Sequence, residues 1–198
     1  VFNDQTFLKT LTAKEIRCGL FEIIKMGIIK SPYLFKLVEI HYRNYLNKNF
    51  NFYTNQINRL SAFLMIDELE QNLLETNLQR LVDFGHTFSP FIETSTDYAI
   101  PHGEAVGIDI LVSIIIAKNR RVLPEQEFNR IWNLIRIIGF SNLYHFDAID
   151  GLYSSLEDIR KHRADNLNLV LPVKIGVGIF SNKCSFHELQ YAVNFLKS

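Results

Sequence analysis

From Thr12 to Ile159 the chain is punctuated by helix start and stop signals with no strand-period segment between them, which leaves few folds open to it. Thr12-Ala13-Lys14-Glu15 is a capping box, in which the threonine and glutamate side chains satisfy backbone N–H groups that the first turn leaves free. It opens a helix whose Ile16, Leu20, Ile23, Ile24 and Gly27 form a buried stripe. Ser31-Pro32 closes that helix and starts a second, which runs to about residue 46, because proline suits a first turn and not an interior. The Asn-rich stretch 47–55 reads as a loop between helices. Further helices are expected over 56–74, 86–93, 102–119, 124–138 with Gly139 as the stop, and 148–159. The period changes only late. Leu167/Leu169/Leu171 and Ile175/Val177/Ile179 alternate on either side of Pro172-Val173-Lys174, which predicts a short hairpin. Ser185-Phe186-His187-Glu188 is a second capping box and opens the terminal helix. The expected fold is therefore mainly α, multi-helical with a small β-hairpin, as one domain over residues 1–198.

An apolar content of 47% over 198 residues is ample for a packed core. Lys+Arg and Asp+Glu are equal at 21 each, so the chain has no electrostatic footprint for nucleic acid or an anionic membrane surface. Apolar runs such as 110–117 fall short of the roughly 20 residues that span a bilayer, and no export pattern opens the chain, so a cytoplasmic location is expected. Cys18 and Cys184 form no repeated spacing and read as reduced thiols. The chain begins at Val1 without a methionine, as part of a larger enzyme would.

The residues that could carry chemistry lie in Asp83-Phe84-Gly85-His86-Thr87-Phe88-Ser89-Pro90 and His102-Gly103-Glu104-Ala105-Val106. Each histidine is expected to open a helix. On the first helix Glu15, Cys18, Glu22, Lys25 and Ile29 share a stripe opposite the apolar face. Glu22 and Lys25 then form either a solvated ion pair or a metal ligand beside an anion-binding cation. His86 and His102 follow Gly85 and Pro101, where a ring can serve packing or project into a cleft. Joined by Glu22, they make a His/His/Glu set suited to Zn²⁺ or a similar divalent ion, with Glu104 as a partner behind His102. Arg160-Lys161-His162-Arg163 is a dense basic run, either a solvated loop or a phosphate clamp. Gly176-Val177-Gly178 lacks the third glycine and the following helix of a dinucleotide loop.

The segments Gly19-Leu20-Phe21-Glu22-Ile23-Ile24-Lys25, Phe84-Gly85-His86-Thr87 and His102-Gly103-Glu104-Ala105-Val106, in this order, resemble the C-terminal helical domain of the dehydroquinate synthase-like sugar phosphate cyclases. The resemblance implies that Glu22, His86 and His102 hold Zn²⁺ or Co²⁺, that Lys25 and Asp83 are catalytic, and that Lys25, Lys161, His162 and Arg163 meet the substrate phosphate. It also implies an N-terminal NAD-binding α/β domain outside these residues, in the same or a separate chain, and a homodimer when complete. The implied reaction oxidises a hydroxyl transiently, eliminates phosphate, reduces the ketone again and closes the ring by an aldol step.

Departures from dehydroquinate synthase point to a branch of the family. Asp83 stands where that enzyme has asparagine, Ser89-Pro90 where it has Gly-His, and Met65-Ile66-Asp67-Glu68-Leu69-Glu70-Gln71-Asn72-Leu73 where it has a lysine-containing acidic segment. Loss of a donor at Pro90 and a new negative charge at Asp83 disfavour a substrate carboxylate. Together with Glu-Leu-x-x-Asn-Leu at residues 68–73 and His162-Arg163, these features resemble the sedoheptulose 7-phosphate cyclases, the 2-epi-5-epi-valiolone synthase-like branch. The substrate expected is a phosphorylated heptulose. Dehydroquinate synthase with an altered site, or a non-catalytic metal-binding or interaction domain, are the alternatives.

Overall fold

Two helices with long, continuously buried runs organise the molecule. A computed structural model describes residues 4–70, 72–74, 76–141, 144–162 and 165–197, with His162 described in its backbone alone. Helix α1 (Ala13–Lys30) is buried continuously from Ile24 to Ile29, and α5 (His102–Asn119) from Gly103 to Ala117. They pack on each other, and α2 (Pro32–Leu46), α3 (Phe52–Glu70) and α6 (Glu125–Ile138) cover α1. Around α5 lie α4 (Ser89–Ser95), α6, α8 (Phe186–Lys197) and β1 (Leu169–Lys174), whose antiparallel partner β2 (Val177–Ser181) rests on α1. Helix α7 (Ile149–His162) touches α4 and α8. Each buried Ile, Leu or Phe contributes roughly 1.5–3 kcal/mol, so the α1–α5 pair anchors the fold. Among the described residues no helix is long and apolar enough to cross a membrane.

The capping boxes form as expected. Glu15 N–H donates to Thr12 Oγ1 while Thr12 N–H donates to Glu15 Oε2, and Ser185 and Glu188 repeat the exchange. Cys18 and Cys184 are free thiols. Several expectations need correction. Helix α3 starts at Phe52, within the expected loop, because Asn51 and Thr54 cap it reciprocally: Asn51 Oδ1 accepts from Tyr53 and Thr54 N–H, and Thr54 Oγ1 accepts from Asn51 N–H. It ends at Glu70 rather than 74. The hairpin turns at Ile175-Gly176, and Pro172-Val173-Lys174 belongs to β1. Pro172 is tolerated there because a register shift between Pro172 and Lys174 loosens the ladder. The stripe from Glu15 to Ile29 is not a solvent face throughout. It runs from exposed Glu15 to buried Lys25 and Ile29 as α2 and α3 close over α1.

Arg120, at the C-terminal cap of α5, ties that helix to α8. Its guanidinium donates to both Glu188 oxygens (2.6 and 3.2 Å), to Ser181 Oγ (2.8 Å) and to Lys183 O (2.6 Å). The Arg120 bonds hold the Glu188 carboxyl at about 2, against an ordinary 4.5. A depressed carboxylate contributes stability that is complete above the ordinary value and is lost as pH falls through the folded one. Glu188→Gln should therefore cost about 2 kcal/mol at neutral pH, after allowance for solvent screening. Urea denaturation should show that difference above about pH 5 and find it gone near pH 2.

Candidate metal centre

Glu22, His86 and His102 converge from three separate segments. Glu22 sits midway along α1, His102 is the first residue of α5, and His86 lies in the turn between the 3-10 segment Leu81–Asp83 and α4. The expectation that His86 opens a helix is corrected. Gly85 takes φ +78, a conformation that an L side chain rarely adopts, and a Cβ there would stand 2.9 Å from Val106 Cγ1. The turn therefore lies flat on α5, and the helix begins three residues after His86, at Ser89-Pro90.

One ligand atom from each residue lies within 4.8 Å of the others. Glu22 Oε1 is 3.4 Å from His102 Nε2 and 3.8 Å from His86 Nε2. That oxygen is buried and accepts no hydrogen bond from any described residue. Ligands about 2.0–2.1 Å from a tetrahedral Zn²⁺ stand roughly 3.4 Å apart, so the spacing fits a divalent ion between them. Both rings are aimed from behind. His86 Nδ1 is 3.2 Å from Phe84 O, and His102 Nδ1 is 3.0 Å from Glu93 Oε1 on α4. A proton on each Nδ1 satisfies those acceptors and leaves the Nε2 lone pairs toward Glu22. The residues present fit a metal ion with a position left for substrate.

Electrostatics favour the ligand forms. Burial, followed by the charge of Lys25, pushes His86 below the ordinary histidine range, which keeps its imidazole neutral. Burial alone would raise Glu22. The Lys25 ammonium, 2.7 Å from Glu22 Oε2, is the chief cause that outweighs it and holds the carboxyl below its usual range. Lys25 is only 3% exposed, so the pair is a fixed element of the site and not a solvated surface pair.

The other expected residues fall in different places. The Asp83 carboxylate is gripped by Arg80 (2.9 and 3.4 Å), and its carbonyl accepts the His86 N–H at 2.9 Å. The negative charge expected close to His86 is therefore offset by Arg80. Glu104 does not support His102. It is fully buried and accepts from Arg17 Nε and from the backbone and hydroxyl of Ser141, pinning the loop after α6 to α5. Glu93, which does support His102, was missed; it lies on α4, nine residues upstream of the histidine, where no local spacing marks it. Pro90 lines a cleft of about 440 Å³ with His86, Thr87, Phe91, Thr94 and, from α7, Ser155, Asp158 and Ile159. Lys161 is exposed on α7 and pairs with Asp158 at 2.9 Å. Arg160 binds Glu157 and the Asn182 carbonyl. The His162 side chain and Arg163 lie outside the described residues.

Residues 19–162 match the family model of the 3-dehydroquinate synthase C-terminal domain. The chain belongs to that family. It is 39% identical over 182 residues to a 2-epi-5-epi-valiolone synthase of Streptomyces glaucescens, covering 90% of this chain and 46% of that protein. It is 30% identical over 192 residues to a 3-dehydroquinate synthase of Campylobacter jejuni, covering 96% of this chain and 55% of the relative. The structure of the 2-epi-5-epi-valiolone synthase ValA of Streptomyces hygroscopicus, solved with NAD+ and Zn²⁺ bound, superposes with a TM-score of 0.93 at 35% identity. The match covers 98% of this chain and 54% of that one. The chain thus spans about half the length of the relatives it matches.

Proposed function

We propose that this chain is the metal- and substrate-binding half of an NAD-dependent sugar phosphate cyclase that converts sedoheptulose 7-phosphate to a cyclitol of the 2-epi-5-epi-valiolone kind with release of phosphate. The observation that carries the metal reading is the buried, unbonded Glu22 Oε1 facing two Nε2 atoms. The relatives named 2-epi-5-epi-valiolone synthase, at up to 39% identity, support the branch. NAD would be held by an α/β domain beyond residues 1–198, in the same or a separate chain, as part of a homodimer.

Glu22, His86 and His102 would hold Zn²⁺ or Co²⁺, which supplies Lewis acidity toward the reacting oxygen atoms when bound. Lys25 balances the Glu22 charge and presents a cation to the anionic substrate. Asp83 fixes Arg80 and, through its carbonyl, the His86 turn. The cleft wall of Thr87, Thr94 and Ser155 offers hydroxyls, groups that hydrogen-bond a polyol, beside an Asp158 carboxylate paired with Lys161. Lys161 and His162 at the end of α7, with Arg163 next in the sequence, would take the phosphate.

The full-length protein, given NAD and Zn²⁺ or Co²⁺, should release phosphate from sedoheptulose 7-phosphate and leave the carboxylated heptulosonate substrate of dehydroquinate synthases untouched. Phosphate assay with product identification on both substrates checks this. Preferential turnover of the heptulosonate would overturn the substrate reading and leave the metal site standing.

A further inference from the structure

Asp109 lies two turns along α5 from His102, with its side chain fully buried. Its Oδ2 accepts the N–H groups of Phe88 (2.5 Å) and Ser89 (2.9 Å), and its Oδ1 accepts from Ser113 Oγ at 3.1 Å. Helix α4 has no side-chain cap of its own at Phe88, so the carboxylate from α5 takes that role. The two amides it holds are the second and third after His86. The helix they begin carries Glu93, the acceptor that aims His102. One buried carboxylate therefore fastens both the turn bearing one imidazole and the helix that orients the other.

Building on the metal-site reading above, we propose that Asp109 is a positioning residue for the metal centre, setting the His86 turn and the Glu93–His102 pair in a single geometry through the Phe88 and Ser89 amides. It touches neither the ion nor the substrate. Its removal leaves two buried amides without an acceptor, and α4 shifts to find one. Both Nδ1 supports sit on or beside that shift. In Asp109→Asn the side chain would still offer one oxygen to the two amides, with its NH₂ group toward Ser113, so the conservative replacement should rescue what alanine loses.

The test uses the full-length protein, Zn²⁺ affinity by chelator competition and the visible absorption of the Co²⁺-loaded form. Asp109→Ala should weaken Zn²⁺ by about 10- to 100-fold, as loss of a supporting partner behind a ligand does, and alter the Co²⁺ spectrum. Asp109→Asn should retain both. Leu34→Ala, a core cavity in α2, should lower stability without changing either reading, and equal metal loss in Leu34→Ala and Asp109→Ala would overturn the proposal. If Asp109→Ala does not fold, hydrogen exchange on the unaltered protein decides. Zn²⁺ should raise protection of the Phe88 and Ser89 amides above that of α2 amides, and unchanged protection would overturn the proposal. Failure of the metal reading is distinct: unaltered protein and Glu22→Ala would then bind Zn²⁺ equally or not at all, and the proposal would fall with it.

Discussion

On the function proposed above, replacing His86 with alanine in the full-length protein is expected to abolish zinc binding and to lower phosphate release from sedoheptulose 7-phosphate by about a thousand-fold, the rate equivalent of the several kcal/mol that a bound cation contributes. Glu22 and His102 would remain, and two ligands close no tetrahedral site. The loss follows from what the ring is prepared to do. Its Nδ1 is committed to the Phe84 carbonyl, and burial and Lys25 keep it neutral, so the Nε2 lone pair is left facing Glu22. Because the folded protein holds this imidazole below the ordinary histidine value, protons compete for it only below about pH 6.5, and metal should be retained into mildly acidic buffer. Lys25→Met supplies the contrast. It removes a cation from the same cluster without removing a ligand, and should keep zinc while weakening substrate binding. Metal analysis of the purified proteins checks both, and a His86→Ala protein with wild-type zinc content would sink the assignment.

Much of this arrangement was legible in the chain because it is written locally. Thr12-Ala13-Lys14-Glu15, Ser31-Pro32 and the Gly139 stop are signals whose partners lie within four residues, and the structure follows them. Elsewhere a neighbouring signal was outweighed. Ser89-Pro90 is the same kind of start as Ser31-Pro32, yet the sequence reading places the first helical residue at His86; Gly85 instead makes a turn that only the flank of α5 stabilises. Asn51 and Thr54 hid a reciprocal cap inside an Asn-rich run. The burial of Lys25, the pairing of Glu93 with His102 and the diversion of Glu104 to Ser141 come from packing between helices, which periodicity along one helix does not encode. Glu22, His86 and His102 were named together by residue type and by resemblance to a family. Their distances could only come from the fold.

Those distances depend on how closely α1 and α5 approach, and Gly103 sets that approach. A Cβ at position 103 would stand 2.4 Å from Cys18 Cα and 2.6 Å from Cys18 O, backbone atoms that cannot rotate aside. Ordinary contact begins near 3.4 Å, so Gly103→Ala must part the two helices by about 1 Å, the difference between 3.4 and 2.4 Å. Overpacking of this kind costs typically about 1–3 kcal/mol, more than the roughly 1 kcal/mol that alanine gains over glycine inside a helix. The effect on the metal should be larger than the effect on the fold. His102 is the residue beside Gly103, Glu22 is one turn beyond Cys18, and their ligand atoms already stand at 3.4 Å. A misplacement of about 1 Å can cost a hundred-fold, and metal bonds tolerate only about 0.2 Å. Gly19→Ala is the matched control, since nothing lies within 4 Å of its Cβ position, and it should stabilise α1 by about 0.5–1 kcal/mol with zinc unaffected. Urea denaturation with chelator competition on both variants separates the cases. If Gly103→Ala bound zinc as tightly as the unaltered protein, the spacing of α1 and α5 would not be what brings Glu22 and His102 to a common ion.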